Sequence, residues 1–109
     1  MNYRVEYTSE ARQDMRDIYA YIAEKLMVPE TAEGQVNRIM DAADELEEMP
    51  LRFSLYEFEP WRSQGLRFVP VDNYILFYLP REEMNTVYIV RIMYGGRDIR
   101  RQLKETLKL

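Results

Sequence analysis

Apolar and polar positions divide the chain into stretches with two different periods. Residues Asn2 to Tyr7 alternate, with Tyr3, Val5 and Tyr7 on one side and Arg4 and Glu6 on the other, which predicts a half-buried strand. Thr8 or Ser9 then offers an oxygen to cap a helix, in which Ala11, Met15, Ile18, Ile22 and Leu26 form one apolar stripe that ends before Pro29. Pro29 suits the first turn of a second helix, where its missing N–H has no partner to lose. The stripe of that helix is Ala32, Val36, Ile39, Met40, Ala43 and Leu46, and Pro50 closes it. So short a connection predicts an antiparallel helical hairpin.

The stretch Leu51 to Gln64 has no clean period but carries Phe53, Leu55, Tyr56, Phe58 and Trp61. That is too much large apolar surface for a disordered linker, so it reads as an ordered loop with Trp61 as its local anchor. Three strands follow, at Leu66 to Val69, Asn73 to Leu79 and Thr86 to Met93, joined by connections short enough to make neighbours antiparallel. After Gly95-Gly96, Arg97 to Leu107 reads as a short terminal helix with Ile99, Leu103 and Leu107 four apart. The order is β-α-α-β-β-β with a tail, in one domain over residues 1–109, and the expected class is α+β: a mainly antiparallel four-stranded sheet packed on the helical hairpin.

Alternation also assigns faces. Arg67 and Val69 share one side of their strand, Tyr74, Leu76 and Tyr78 share one side of the next, and Arg91 lies with Val87 and Ile89. If the helices cover the face of Ile75, Phe77 and Leu79, then Arg67, Tyr74, Tyr78 and Arg91 line an open face. Guanidinium groups hold phosphates bidentately and tyrosine rings stack on unpaired bases, which would suit RNA. Equally, tyrosines are good strand formers, and the arginines could pair with Asp72, Asp98 or the acidic helices.

Composition narrows the chemistry. The chain has no cysteine and no histidine, so disulfides, thiol nucleophiles, histidine triads and the usual zinc sites are excluded. Acid-base work would fall to carboxylates, tyrosine or lysine, and charge stabilisation to arginine. The net charge of -4 hides an asymmetry: residues 1–60 carry 6 Lys/Arg against 14 Asp/Glu, and residues 61–109 carry 9 against 5. An anionic partner would meet the second half, unless the acidic helices simply face solvent or the basic strands. The longest uncharged run, the eight residues Asn73 to Pro80, falls far short of the roughly 20 that span a bilayer. No basic segment precedes an apolar one near Met1, so a cytoplasmic protein without a signal peptide is expected.

Asn73-Tyr74-Ile75-Leu76-Phe77-Tyr78, then Val87-Tyr88-Ile89-Val90-Arg91-Ile92-Met93-Tyr94-Gly95-Gly96-Arg97-Asp98, resembles the ending of the RelE/ParE superfamily, the toxins of type II toxin-antitoxin modules (plasmid stabilisation modules). The opening strand and the Asp14 to Ile22 helix match the family's usual pattern too. The resemblance implies a growth-arresting toxin neutralised by a cognate antitoxin, a small protein whose partly disordered segment wraps hairpin and sheet. The complex would bind operator DNA through the antitoxin. Because this chain's helices are acidic, the contacting segment is expected to be richer in Lys/Arg than usual.

RelE-like members cut mRNA on the ribosome, whereas ParE-like members inhibit DNA gyrase. The strand tyrosine matching Tyr74 is followed in the RelE-like nucleases by an arginine, and here by Ile75. Arg67, Tyr94 and Arg97 fall near the nucleases' basic or aromatic groups. With Arg91 they form the candidate catalytic set, and Tyr74 and Tyr78 are the candidate binding residues. Tyr94 also matches the usual histidine of the ParE-like ending. The low pI of about 4.9 departs from the basic character of ribosome-dependent members. The reading therefore leans to gyrase, with an mRNA endoribonuclease or a non-toxic antitoxin-binding homologue as the alternatives, and neither toxin mechanism needs a metal or an organic cofactor.

Overall fold

The computed structural model describes residues 2–96 and 98–106. Strand β1 (Arg4–Tyr7) leads into α1 (Ser9–Ala20), which widens into a π-turn at Tyr21–Lys25 before α2 (Pro29–Asp44). Short 3-10 turns at Glu45–Glu47 and Pro50–Arg52 and a one-turn helix α3 (Trp61–Gln64) precede β2 (Arg67–Val71), β3 (Tyr74–Arg81), β4 (Thr86–Tyr94) and α4 (Ile99–Thr106). Among the described residues no helix is long and apolar enough to cross a membrane.

The four strands form one sheet in the order β1-β4-β3-β2, with β1 parallel to β4 and the other pairs antiparallel. The α+β class and the hairpin packed on a four-stranded sheet are as expected; the parallel pairing of β1, from Arg4 opposite Thr86 to Tyr7 opposite Ile89, is added by the structure. Thr8 joins this edge to the first helix. Its Oγ1 accepts the Ala11 N–H at 3.1 Å and donates to the Val90 carbonyl at 3.1 Å, so capping α1 also docks it on β4.

The face assignment differs from the expectation. The hairpin covers Leu76 and Tyr78 together with Val87, Ile89 and Ile92, and these pack with Ile18, Ile22, Ile39 and Leu46. The other face, with Phe77 buried and Ile75 and Leu79 partly so, is covered by Trp61, Leu66 and Leu103. There is consequently no open face of Arg67, Tyr74, Tyr78 and Arg91. The aromatic loop and α4 fill it, and Tyr56 sits at its centre with ring centroids 5.5 Å from both Phe58 and Phe77. Trp61 is the anchor expected, 2% exposed.

Strict alternation also fails in β4. Phe77 lies opposite Arg91 while Tyr78 lies opposite Ile89, so Val90 is an extra residue. This bulge shifts the phase: Ile92 joins Val87 and Ile89 in the hairpin-side core, and Val90 and Met93 join the second one. The π-turn does the same to α1. Its wider spacing, closed by the Leu26 N–H on the Tyr21 carbonyl at 3.1 Å, throws Leu26 off the buried stripe to 53% exposure.

Two buried phenols make the fold sensitive to alkali. Burial pushes the Tyr78 hydroxyl up to about 12, against a smaller opposite pull from Arg67 and Arg52, and burial with the Asp44 charge lifts Tyr7 to about 12. Unfolded tyrosine ionises near 10. Both groups hold their protons more tightly when folded, so their contribution is complete below about pH 10 and is lost as pH rises toward about 12. The urea midpoint is expected to be flat up to about pH 9.5 and to fall beyond it, with a shallower fall in Tyr78→Phe. An unchanged slope in that variant would show that Tyr78 does not titrate there.

Candidate functional site

A groove of about 810 Å³ opens where the end of α1 and the start of α2 meet the ends of β3 and β4. Asp14, Asp17, Ile18, Tyr21 and Ile22 line it from α1 and the π-turn, Thr31 and Gln35 from α2, Asn73, Tyr74, Arg91 and Tyr94 from the sheet, and Gln102 from α4. Each element has a local reason to be there. Asp14, Asp17 and Tyr21 are three and four residues apart and share one helix face. Tyr74 and Tyr94 face each other across β3 and β4, just before a glycine turn in which Gly96 takes φ 96°, a conformation that suits glycine. Asp72, left-handed at φ 57° in the β2–β3 turn, accepts hydrogen bonds from Gln35 (3.0 Å) and Arg38 (2.7 Å), which pins that turn to α2. Those two bonds hold its carboxyl below the ordinary aspartate value.

Tyr74 and Tyr94, two of the expected site residues, meet here edge to face, with centroids 5.7 Å apart and planes at 79°. Tyr94 is exposed and Tyr74 half-buried. Burial raises the Tyr74 hydroxyl above its ordinary value, and the neighbouring Tyr94 and Tyr21 hydroxyls raise it further, so at neutral pH it is a phenol and no general base.

Arg91 reaches the groove but is already engaged. Its Nε donates to Asp14 Oδ2 at 2.7 Å and its Nη2 to Asp14 Oδ1 at 3.0 Å, while its Nη1 donates to Thr106 Oγ1 at 2.6 Å. Asp14 Oδ2 also accepts the Ile92 N–H at 2.8 Å, at the edge of β4 beyond the end of β1. The guanidinium thus binds α1, β4 and α4 together. Among the described residues lining the groove it is the one cation.

The remaining expected residues lie elsewhere. Arg67 turns its guanidinium onto the carbonyls of Leu51 and Phe53, and the Tyr78 hydroxyl donates to the Pro50 carbonyl at 2.6 Å from a fully buried side chain. Both secure the segment that follows the hairpin, and neither lines the groove. Arg97 lies outside the described residues. Asp14, Asp17 and Tyr21 were not singled out from the sequence as site residues, although their common helix face was readable in it. Ile75 packs, partly buried, against the second core.

Among the described residues lining it, the groove sets Asp17 against an Arg91–Asp14 pair that neutralises itself. It is a tyrosine-walled, slightly acidic site with an apolar floor, suited to a protein side chain better than to a phosphate chain.

The sequence profile of the ParE toxin of type II toxin-antitoxin system, parDE, matches residues 5–99. No curated protein matches the chain by sequence. Among solved structures, the chain is similar to one from the chromosomal ParDE system of P. aeruginosa, at 20% identity and a TM-score of 0.69 over 84% of this chain and 95% of that one. It is similar to one in the RelBE2 toxin-antitoxin complex of Mycobacterium tuberculosis, at 22% identity and a TM-score of 0.63 over 89% and 95%. A mutant E. coli RelE toxin in the free state gives 14% identity and a TM-score of 0.68 over 99% and 97%. At these identities the likeness is one of fold.

Proposed function

The chain belongs to the ParE toxin family of type II toxin-antitoxin systems, and on that basis we propose that it arrests growth by binding a protein target, DNA gyrase, and is neutralised by a cognate antitoxin. The observation that carries the choice of target is the state of the groove's cation. Cleaving RNA through its 2′-OH requires a group to activate that hydroxyl and free positive charge for the pentavalent phosphate. Arg91 spends its guanidinium on Asp14, Thr106 and Gln102, Tyr74 stays protonated, and Ile75 is a core residue. Arg67, a further member of the candidate catalytic set, is held on backbone carbonyls.

A protein-binding toxin needs none of these groups freed. Tyr94, Tyr21 and the exposed Leu26, Met27 and Val28 at the hairpin tip supply the kind of aromatic and apolar surface that interfaces use. The antitoxin partner is in keeping with the P. aeruginosa ParDE and M. tuberculosis RelBE2 systems, which pair such a fold with an antitoxin. In this reading the antitoxin also carries the complex to operator DNA.

Mapping RNA ends in cells during induction decides between the targets. The expected result is intact mRNA, a DNA-damage response, and inhibition of gyrase supercoiling by the purified protein. Codon-positioned cuts in translated mRNA would replace this proposal with the endoribonuclease, and would require Arg91 to leave Asp14 when substrate binds.

A further inference from the structure

The groove has a feature that neither arrest nor neutralisation in general requires: three tyrosines and the exposed Asp17 carboxylate around one opening. Tyr74 and Tyr94 meet at 79° as two walls of a corner. Tyr21, on the π-turn and 54% exposed, lines the same groove. One helical turn before Tyr21, Asp17 is exposed. It accepts a hydrogen bond from Gln13 Nε2 at 2.8 Å and has no ion-pair partner among the described residues. Beyond the tyrosines the rim is aliphatic, with Leu26 at 53% and Val28 at 41% exposure.

We propose that this corner is an aromatic cage for one lysine or arginine side chain of the cognate antitoxin, seated between the Tyr21, Tyr74 and Tyr94 rings with its charge toward Asp17. The proposal rests on the reading that an antitoxin binds this chain. Ring faces carry negative quadrupole potential and attract a cation within about 6 Å of their centroids. The aliphatic stem of the same side chain is what Leu26 and Val28 would cover. An anion is opposed by Asp17, and among the described residues lining the groove the one cation, Arg91, is paired with Asp14. At longer range, residues 1–60, with 6 Lys/Arg against 14 Asp/Glu, draw a basic segment toward the hairpin.

The test is the affinity of the purified product of the neighbouring antitoxin gene for wild-type and variant toxin. Tyr94→Leu and Tyr21→Leu remove a ring from exposed positions while keeping apolar bulk, and each is expected to weaken binding on the order of tenfold. Tyr94→Phe, which keeps the ring, is expected to stay within about twofold. Asp17→Asn is expected to weaken binding several-fold at low salt, with the difference shrinking as salt rises. One Lys→Met or Arg→Met change in the antitoxin is expected to abolish the effect of Tyr94→Leu, in a double-mutant cycle.

Wild-type affinity in both leucine variants would overturn the cage, as would a loss in Tyr94→Phe equal to that in Tyr94→Leu, or coupling to an apolar antitoxin residue. So would loss of growth arrest at unchanged antitoxin affinity, which would give the groove to the target. If the antitoxin gene product does not bind the wild-type chain at all, the antitoxin reading fails and the cage with it. Binding that ignores the groove sinks the cage alone.

Discussion

Replacing Asp14 by alanine is expected to lower the unfolding free energy by about 3 kcal/mol, at the lower end of what breaking a buried ion pair costs. The carboxylate makes three bonds, two to Arg91 and one to the Ile92 N–H, between side chains only 13% and 15% exposed. Removing it strands a desolvated guanidinium and an edge N–H together. The exposed pair Arg4–Glu6, with side chains 72% and 49% exposed, offers the contrast and should be worth well under about 1 kcal/mol. Urea denaturation measures both. The double change Asp14→Leu with Arg91→Met should recover much of the loss, because the penalty lies in the unpaired charge. A cost for Asp14→Ala no larger than that for Glu6→Ala would mean that the pair contributes nothing special to the fold.

The second large effect is expected at Trp61. Trp61→Ala should cost about 3–5 kcal/mol, the range for emptying a large aromatic site in a packed core. The indole is 2% exposed and stands among Leu66, Phe77, Val90, Met93 and Leu103, with the Tyr56 ring 5.8 Å away. Among the described residues its Nε1 has no hydrogen-bond partner, so it stabilises by area and shape. Trp61→Phe, which keeps a ring and removes that orphaned donor, should therefore cost only about 1 kcal/mol. The alanine variant should also loosen α4, whose buried contact is Leu103, and hydrogen exchange on α4 reads that out separately. Unchanged exchange there would show that α4 is held by Arg91 and not by the second core.

The two hairpin helices and β1 were legible because each carries its own period, the stripe through Ala11, Ile18 and Ile22 and the alternation of Tyr3, Val5 and Tyr7, and the later strands because they are apolar runs between turn signals. Which sheet face the hairpin covers was not legible, because β3 is apolar on both sides. Leu76 and Tyr78 on one side and Ile75, Phe77 and Leu79 on the other satisfy alternation equally well. The missing datum was the second layer, and the loop that supplies much of it has no period, since Tyr56, Phe58 and Trp61 are anchored one by one. Two local irregularities had no composition signal either: the Val90 bulge and the π-turn at Tyr21–Lys25. Of the site, Tyr74 was legible from the side-chain alternation of its strand and Tyr94 only through the family-like ending of the chain. Arg91 was found without its partner, as Asp14 lies 77 positions away and only the fold brings the two together. Arg67 and Tyr78 were placed at a surface by a face assignment that the second layer reverses.

The parallel pairing of β1 with β4 also sets the order of events during synthesis. Arg4 has no ladder partner until Thr86 has been made. At about 5–20 residues per second, that leaves the opening strand waiting for several seconds. Throughout that time the acidic hairpin exists without the central strand it packs on, and the Tyr74–Tyr94 corner does not exist. The Tyr74–Tyr94 corner therefore forms only after the last strand has joined the sheet, and the antitoxin side chain proposed for it has no seat before then.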